Sequence, residues 1–277
     1  SIEEEHNKCF RFTITTNGVL LDDENIEYIN REMSNAVLSI DGRKEVNDDL
    51  RPTVNGKGSY DVIVPKFQKL IEGRGTKDYY LRGTFTRFHQ DFAEDVKALA
   101  SIGRNISVEP VVGKEEDPYA LQEADLPALK AEYERLAEYL RDHPETNFFH
   151  FNVDLAQGPC VIKRLRGCGA GCEYVAITPE GDIYPCHQFV GKDYKLGSLY
   201  DGTFDQELSG RFAGLNIYTR EECRDCWARF YCSGGCSASN LLVNGDIKKP
   251  HRVGCELERK RLECAIGLRA IAAGMAE

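Results

Sequence analysis

The chain carries, from Cys223 to Cys236, the stretch C-R-D-C-W-A-R-F-Y-C-S-G-G-C, and another cysteine follows at Cys255. The full spacing is C-x2-C-x5-C-x3-C-x18-C. Thiolates this close must be oxidised in pairs, bound to metal or kept reduced, and C-x2-C is a spacing that metal sites use. Gly234 and Gly235 allow the backbone to bend sharply between two ligands. Five cysteines exceed one tetrahedral site, so the pattern predicts a second one.

A second group of cysteines lies upstream and consists of Cys160, Cys168, Cys172 and Cys186. Of the 11 cysteines only Cys9 precedes this group, so a cysteine-poor half is followed by a cysteine-rich half. A chain of 277 residues is long enough for two domains with buried cores. The composition therefore predicts a domain boundary before the upstream group.

The donor type separates two kinds of metal site. Four thiolates in a zinc ribbon or knuckle would stabilise a fold and do nothing more. The six histidines include no H-x3-5-H pair that would favour zinc. Thiolate-only sites also suit iron-sulfur clusters, each of which takes four cysteines. Eight or nine clustered cysteines therefore favour two iron-sulfur clusters over zinc.

Charge and hydropathy exclude several classes of partner. The formal net charge of -10 disfavours binding to nucleic acid, whose affinity comes largely from lysine and arginine. The sequence has no apolar run of about 18 residues and no signal peptide at its start, so no membrane span is expected. Secreted disulfide scaffolds are usually short chains, and this chain is not short. A reducing cytoplasm is the expected location.

The first part of the chain alternates strand and helix patterns. Strands are predicted at 10–16, 36–40, 79–86 and 106–112, and helices after Asp22 or Asp23 and at 60–72 and 92–102. This alternation predicts an α/β fold with a parallel sheet. Polar segments lie at the carboxyl ends of three predicted strands, where such folds place their functional sites. They are T-T-N-G, S-I-D-G and R-G-T-F-T. The first strand would be an open edge, so we expect either an unusually small fold or a chain that lacks a preceding half.

The second part is built differently. An amphipathic helix from Leu126 to near His143 follows an acidic connector, and a hairpin of 174–178 and 183–185 is predicted to deliver Cys186. Helices are predicted at 204–215 and 257–271, with an Asn-Gly turn within 240–247. The expected domains are 1–112, then 113–157 as a connector and bridging helix, then 158–277.

The cysteine pattern resembles a known family. The spacing C-x12-G-x4-C from Cys168 through Gly181 to Cys186, followed by the stretch quoted above, is similar to the SPASM domain of peptide-modifying radical SAM enzymes, over residues 160–264. T-T-N-G-V-L-L at 15–21, S-I-D-G at 39–42 and G-K-G-S-Y at 56–60 resemble the middle and later parts of the radical SAM barrel. The stretches at 158–171 and 184–191 look closest to the SCIFF maturases, which form thioether crosslinks in cysteine-rich peptides.

The resemblance implies a fold and two ligand sets. The fold would be the later half of a partial (β/α)6 barrel followed by a SPASM domain with two auxiliary 4Fe-4S clusters. The first set would be Cys168, Cys186 and Cys236, completed by Cys172 or left open for an outside ligand, with the open iron favoured. The second set would be Cys223, Cys226, Cys232 and Cys255. Spacing alone would instead group Cys223, Cys226, Cys232 and Cys236, so this interleaved assignment rests on the resemblance.

The resemblance also implies a site for S-adenosylmethionine. Ser39 and Arg51 match positions near its methionine carboxylate, and Asn17 and Thr84 are predicted at strand ends facing the same cavity, although such residues are also common in caps and turns. Radical SAM enzymes hold their catalytic cluster with C-x3-C-x2-C, and the chain contains no such segment. We therefore expect this chain to be a later part of a longer polypeptide and to be inactive alone. S-adenosylmethionine and a third 4Fe-4S cluster would be bound together with the upstream part.

The implied activity is that of a radical SAM oxidoreductase that joins a cysteine sulfur to an alpha-carbon of a ribosomal peptide. Its partners would be a small cysteine-rich precursor peptide and an electron donor such as flavodoxin or ferredoxin. One alternative is an iron-sulfur electron-transfer or peptide-docking module without S-adenosylmethionine. Another is an anaerobic sulfatase maturase, but those enzymes carry an Asp after the cysteine matching Cys186, where this chain has His187. No catalytic base is assigned, and Cys9 and Cys264 are predicted to be small core residues.

Overall fold

A computed structural model describes residues 2–153 and 165–274, so Cys160 lies outside the described residues. The chain divides into two compact units. The first consists of Ser1–Val111 and Pro127–Asn152, and the second of Val112–Leu126 and Val153–Glu277. Within these described ranges, no helix has both the length and the apolar character needed to cross a membrane.

The first unit contains the predicted parallel sheet. Its strands are β1 (Thr13–Thr16), β2 (Asn35–Ser39), β3 (Asp78–Phe85), β4 (Asn105–Pro110) and β5 (Asn147–Phe148), and they lie side by side in chain order, all parallel. The helices are α1 (Ile2–His6), α2 (Asp23–Glu32), α3 (Lys44–Leu50), α4 (Tyr60–Glu72), α5 (Phe92–Ala100) and α6 (Leu126–Asp142), with a 3-10 turn at Phe149–Phe151. β1 forms one edge of this sheet, and the α/β prediction is confirmed.

Local chemistry explains the helix boundaries and the core of this unit. The Asp22 side chain accepts a hydrogen bond from the Asn25 backbone N–H, 2.8 Å away, and thereby caps α2. Apolar residues at helical spacing turn inward: Ile26 and Ile29 of α2 are buried, as is Phe67 of α4. Both helices therefore bury the apolar face that the periodicity predicts.

Three features of this unit differ from the sequence expectations. α3 and β5 were not predicted, because both are short and β5 has only two residues. β1 begins at Thr13 rather than at residue 10, and Phe10 and Phe12 are exposed, although the Phe12 carbonyl still accepts from the Asn35 N–H at the start of β2, at 3.3 Å. α6 packs its buried Tyr133 against Phe92 of α5, with ring centroids 4.7 Å apart, so most of this helix lies within the first unit. The region 113–157 is therefore divided between the two units.

The second unit has a small antiparallel sheet and several helices. Its strands are β6 (Ala176–Ile177), β7 (Asp182–Tyr184) and β8 (Gly197–Ser198), in that order. Its helices are α7 (Gln206–Ala213), α8 (Arg229–Cys232), α9 (Ser237–Asn244) and α10 (Arg252–Ala272), with 3-10 turns at Glu123–Asp125, His187–Phe189 and Glu221–Cys223. The predicted hairpin is present and leads into Cys186. The predicted Asn-Gly turn is the left-handed end of α9 at Gly245.

An aromatic cluster forms the core of the second unit. Phe189 and Phe212 are buried and meet edge to face, with ring centroids 5.3 Å apart. Cys186 and Tyr184 belong to the same cluster, so the end of the hairpin is anchored in apolar packing. Cys264 is buried as predicted, whereas the prediction that Cys9 is a core residue is wrong, because Cys9 is exposed.

We predict that Gly83→Ala destabilises the parallel sheet. A Cβ at this position of β3 would lie 2.6 Å from the Ile40 carbonyl oxygen and 2.9 Å from Asp41 Cα, and these backbone atoms cannot move without distorting the end of β2. Overpacking of this kind costs about 1–3 kcal/mol of unfolding free energy, measurable by anaerobic urea denaturation.

The control is Gly210→Ala in helix α7, where an added Cβ would meet nothing within 4 Å. This change should raise the unfolding free energy by about 0.5–1 kcal/mol, because alanine loses less backbone entropy in a helix than glycine does. A Gly83→Ala protein as stable as the parent would contradict the close approach of β2 and β3.

Candidate metal centres

Four cysteines from two separate segments of the sequence line one small cavity in the second unit. They are Cys223, Cys226, Cys232 and Cys255. The cavity has a volume of about 40 Å³, more than the roughly 10–15 Å³ that one water needs. Cys236, only four residues after Cys232, is not among its lining residues. The four cysteines are those that the resemblance assigns to the second set, and the grouping by spacing alone is not the one found here.

Different local structures bring these four thiols together. Cys223 ends a 3-10 turn, and the Cys226 N–H donates to the Cys223 carbonyl in the turn that follows. Cys232 ends α8. Cys255 lies in the first turn of α10, since this helix begins at Arg252 rather than at the predicted Leu257. The Cys255 thiol is therefore carried by a helix.

A left-handed turn separates Cys232 from Cys236. Ser233, Gly234 and Gly235 have φ angles of 60°, 88° and 71°. Left-handed backbone is unfavourable for Ser and unstrained for Gly, so two glycines reduce the cost of the turn. The Gly234 and Gly235 N–H groups both donate toward the Cys232 sulfur. The turn thus supplies hydrogen bonds to one cysteine and directs the next away from the cavity.

A second group forms around Cys186. This thiol is buried, and Cys236 and Cys168 are close enough that their charges as thiolates act on it. Burial raises the pKa of Cys186, while the Gln188 and Phe189 N–H groups donate to its sulfur and oppose that rise. These three cysteines are the ones that the resemblance assigns to the first set.

Hydrogen bonds hold the loop that carries Cys168 beside the end of β7. The Gly171 N–H donates to the carbonyls of Tyr174 and Pro185, at 2.8 and 3.0 Å, and the Ser209 hydroxyl donates to the Gly171 carbonyl at 2.7 Å. Because Pro185 directly precedes Cys186, these contacts fix the loop next to that cysteine.

Cys172 lies on the same loop and is exposed. Its thiol donates to the Gly169 carbonyl, with Sγ 3.4 Å from the oxygen. His187, directly after Cys186, is also exposed and starts a 3-10 turn. Both side chains are therefore accessible next to the first set.

Burial favours the protonated form of three of the four cavity thiols. Burial raises the pKa of Cys232 to about 12 and the pKa of Cys255 to about 11. Burial also raises the pKa of Cys223, and the nearby Arg220 guanidinium opposes that rise. Such thiols ionise only when a cation, such as a metal ion, offsets the cost of burying the thiolate.

Three arginines supply positive charge beside the cysteines. Arg259 donates to the Cys226 sulfur, and this hydrogen bond raises the pKa of Arg259. Arg229 lines the cavity, and its buried Nε has no hydrogen-bond partner among the described residues. Arg220 is only 3% exposed, and its Nε likewise has no partner in the part of the chain that the structure describes. No sequence pattern pointed to these arginines, because their positions depend on contacts distant in sequence.

This environment suits iron-sulfur clusters. The donors are all thiols, amide N–H groups point at Cys186 and Cys232, and unpartnered cationic N–H groups lie nearby. Within the described residues, no three Cys, His, Asp or Glu side chains converge to hold a single metal ion. A four-iron cluster binds each thiolate through a different iron, so its ligands need not converge on one point.

The four predicted contacts for S-adenosylmethionine lie in the first unit. Asn17 follows β1, Ser39 ends β2 and Thr84 lies near the end of β3. Arg51 follows α3, and both its Nε and Nη2 donate to the buried Asp41 carboxylate. The Thr84 N–H donates to the same carboxylate at 2.8 Å. Asp41 therefore joins the ends of β2 and β3, an organising role that the S-I-D-G motif did not reveal.

Comparisons with known proteins relate part of the cysteine-rich region to an iron-sulfur cluster-binding domain. Residues 168–227 match the SPASM model, described as an iron-sulfur cluster-binding domain. The mycofactocin maturase MftC of Mycolicibacterium smegmatis is 27% identical over 77% of this chain and 55% of its own length. A cysteine-type anaerobic sulfatase-maturating enzyme of Clostridium novyi is 24% identical over 81% of this chain and 63% of its own length.

Among solved structures, native anSMEcpe with bound AdoMet and Kp18Cys peptide superposes with a TM-score of 0.74 at 18% identity, over 97% of this chain and 77% of that one. This likeness shows the fold. The chain spans less than two thirds of the length of the two curated relatives. It thus contains a SPASM iron-sulfur cluster-binding domain and is related to the radical SAM maturases.

Proposed function

We propose that the chain is the auxiliary-cluster part of a radical SAM enzyme that forms thioether crosslinks in a ribosomal cysteine-rich peptide. Two 4Fe-4S clusters would be held by the two sets described above. The observation that carries the proposal is the interleaving: Cys255 joins the cavity of Cys223, Cys226 and Cys232, while Cys236 lies near Cys186 instead. A simple zinc ribbon formed by consecutive cysteines would not need this arrangement.

When bound, S-adenosylmethionine with its own cluster would supply the hydrogen-abstracting radical, and the auxiliary clusters would supply the capacity to take up the electron released in carbon–sulfur bond formation. The chain's own residues hold the auxiliary sites. Arg259 and the N–H groups of Gly234 and Gly235 stabilise thiolate charge in the second set. The N–H groups of Gln188 and Phe189 do the same for Cys186.

The first unit would contribute to binding S-adenosylmethionine. Ser39, Asn17 and Thr84 remain proposed contacts at the carboxyl ends of the parallel strands, where α/β folds place ligands. Arg51 is proposed too, although the buried Asp41 already neutralises much of its charge. The partners of the whole protein would be the precursor peptide and a low-potential electron donor such as flavodoxin or ferredoxin.

A second candidate is an enzyme of the anaerobic sulfatase-maturase type. The similarity to the Clostridium novyi enzyme and to anSMEcpe favours it. His187 argues against it, because the resemblance places an Asp at this position in sulfatase maturases. An electron-transfer or peptide-docking module without S-adenosylmethionine is the third candidate, and it would use the same two cysteine sets.

We predict that anaerobic reconstitution loads this chain with about eight irons and eight sulfides, as two four-iron clusters require. Cys226→Ala removes one thiolate from the second set and should cost about half of the iron, because the first set is separate. Iron and sulfide assays measure both. Cys264→Ala is the control, since this buried cysteine belongs to neither set. Zinc without sulfide, or loss of all iron in Cys226→Ala, would contradict two iron-sulfur sites.

Cys172→Ala should keep the same iron and sulfide content as the parent chain. The Cys172 thiol is exposed and donates to a backbone carbonyl, so we propose that the first set leaves one iron open for a peptide thiolate. Cys168→Ala is the matched comparison on the same loop and should lose about one cluster. If both variants lose equal amounts of iron, Cys172 is a fourth ligand and the open iron is wrong.

Two peptide probes distinguish the candidate activities. One carries several cysteines, and the other carries a sulfatase maturation sequence with cysteine at its target position. With S-adenosylmethionine and reductant, we expect the complete enzyme to convert the cysteine-rich peptide to a product that has lost two hydrogens and kept every sulfur. Mass spectrometry detects this change. Conversion of the sulfatase peptide, with loss of its cysteine sulfur, would instead establish the maturase activity.

A further inference from the structure

Arg220 is a buried cation at the centre of the cysteine-rich unit. Its side chain is 3% exposed. Nη1 donates to the carbonyls of Ile247 and Lys248, at 2.6 and 3.0 Å, and Nη2 donates to the Ser237 hydroxyl at 3.0 Å. These bonds fix the guanidinium firmly. Its Nε–H is buried and has no hydrogen-bond partner within residues 2–153 and 165–274, which leaves a costly donor unsatisfied there.

The unsatisfied donor lies against the turn that separates the two cysteine sets. A Cβ built on Gly234 would lie 2.8 Å from Arg220 Nε, so only a glycine leaves room for the guanidinium. Gly234 also lines the cavity of the second cysteine set, and its N–H donates to the Cys232 sulfur. Arg220 Nε is therefore next to the backbone that runs from one set to the other.

The charges that act on Arg220 come from both sets. Cys223 and Cys232 belong to the second set, Cys236 belongs to the first, and Asp246 is the further acidic neighbour. Arg229 also has a buried Nε with no partner among the described residues. It differs from Arg220 in lining the cavity of the second set, where it donates to the Cys226 carbonyl. Arg220 is thus placed to act on both cysteine sets, whereas Arg229 is placed to act on the second set.

We propose that Arg220 serves both auxiliary clusters, donating its Nε–H to a sulfur of the adjoining sites and raising the reduction potential of both clusters. This inference rests on the proposed two-cluster function. Reduction adds one electron from an external reductant to a cluster and makes it more negative. A fixed positive charge in a poorly solvated site favours that reduced form, and hydrogen bonds to sulfur act in the same direction.

The test compares the anaerobically purified protein with four variants, by iron and sulfide assay and by potentiometric titration with dithionite followed by electron paramagnetic resonance. Arg220→Gln removes the charge, and Arg220→Lys keeps the charge but loses the Nε–H. Arg229→Gln tests a cation at the second set alone. Arg224→Gln is the control, because Arg224 is exposed and, within the described residues, its side chain donates only to the Tyr218 carbonyl.

We expect Arg220→Gln to retain both clusters and to shift the reduction equilibrium of each about tenfold toward the oxidised form, which is about 59 mV for one electron. Arg220→Lys should shift both by less, Arg229→Gln should shift only the second cluster, and Arg224→Gln should shift neither. A merely structural role for Arg220 would leave the potentials of retained clusters unchanged.

Unchanged potentials in Arg220→Gln, or a shift of one cluster alone, would overturn the inference. If Arg220→Gln fails to fold, Arg220→Lys decides, since parental potentials in that variant would show that the Nε–H donates to neither site. A parent protein that binds no iron and sulfide would contradict the proposed function itself, an outcome separate from any effect of Arg220.

Discussion

The left-handed turn over Ser233, Gly234 and Gly235 is the constraint on which the cysteine-rich unit depends. Cys232 and Cys236 are four residues apart, and a continued helix would keep them on one face. The turn instead leaves Cys232 in the cavity of the second set and Cys236 near Cys186. Room for a buried Arg220 exists because Gly234 has no side chain. One backbone feature therefore decides which cysteines line the cavity, and it also controls hydrogen bonding to sulfur and the position of a cation.

The two units solve different physical problems. The parallel sheet buries alternate residues of β2 and β3 and leaves polar residues at the carboxyl ends, where Asp41 ties Arg51 and Thr84 together. The second unit has short strands and little regular structure, and its apolar core is centred on a few aromatic rings. A loop-rich unit of this kind gains stability when bound clusters link its segments, because metal binding to a site absent from the unfolded chain stabilises the fold.

Much of this arrangement could be predicted from the sequence, and the failures have physical reasons. The alternating patterns predicted the parallel sheet, and the turn residues around Gly181 predicted the hairpin that leads to Cys186. Spacing alone misplaced Cys236, because the direction of a left-handed turn cannot be inferred from cysteine counts. Cys255 on α10 and the buried Arg220 depend on packing between distant segments, and a single sequence contains no local signal for either.

Iron-edge anomalous diffraction from anaerobically grown crystals tests the central claim most directly. The account predicts two separate four-iron peaks, one bonded to Cys223, Cys226, Cys232 and Cys255, and the other bonded to Cys168, Cys186 and Cys236. Iron–sulfur distances of about 2.3 Å would identify each ligand. A single site bonded to Cys223, Cys226, Cys232 and Cys236, with Cys186 and Cys255 unbound, would contradict the interleaved assignment.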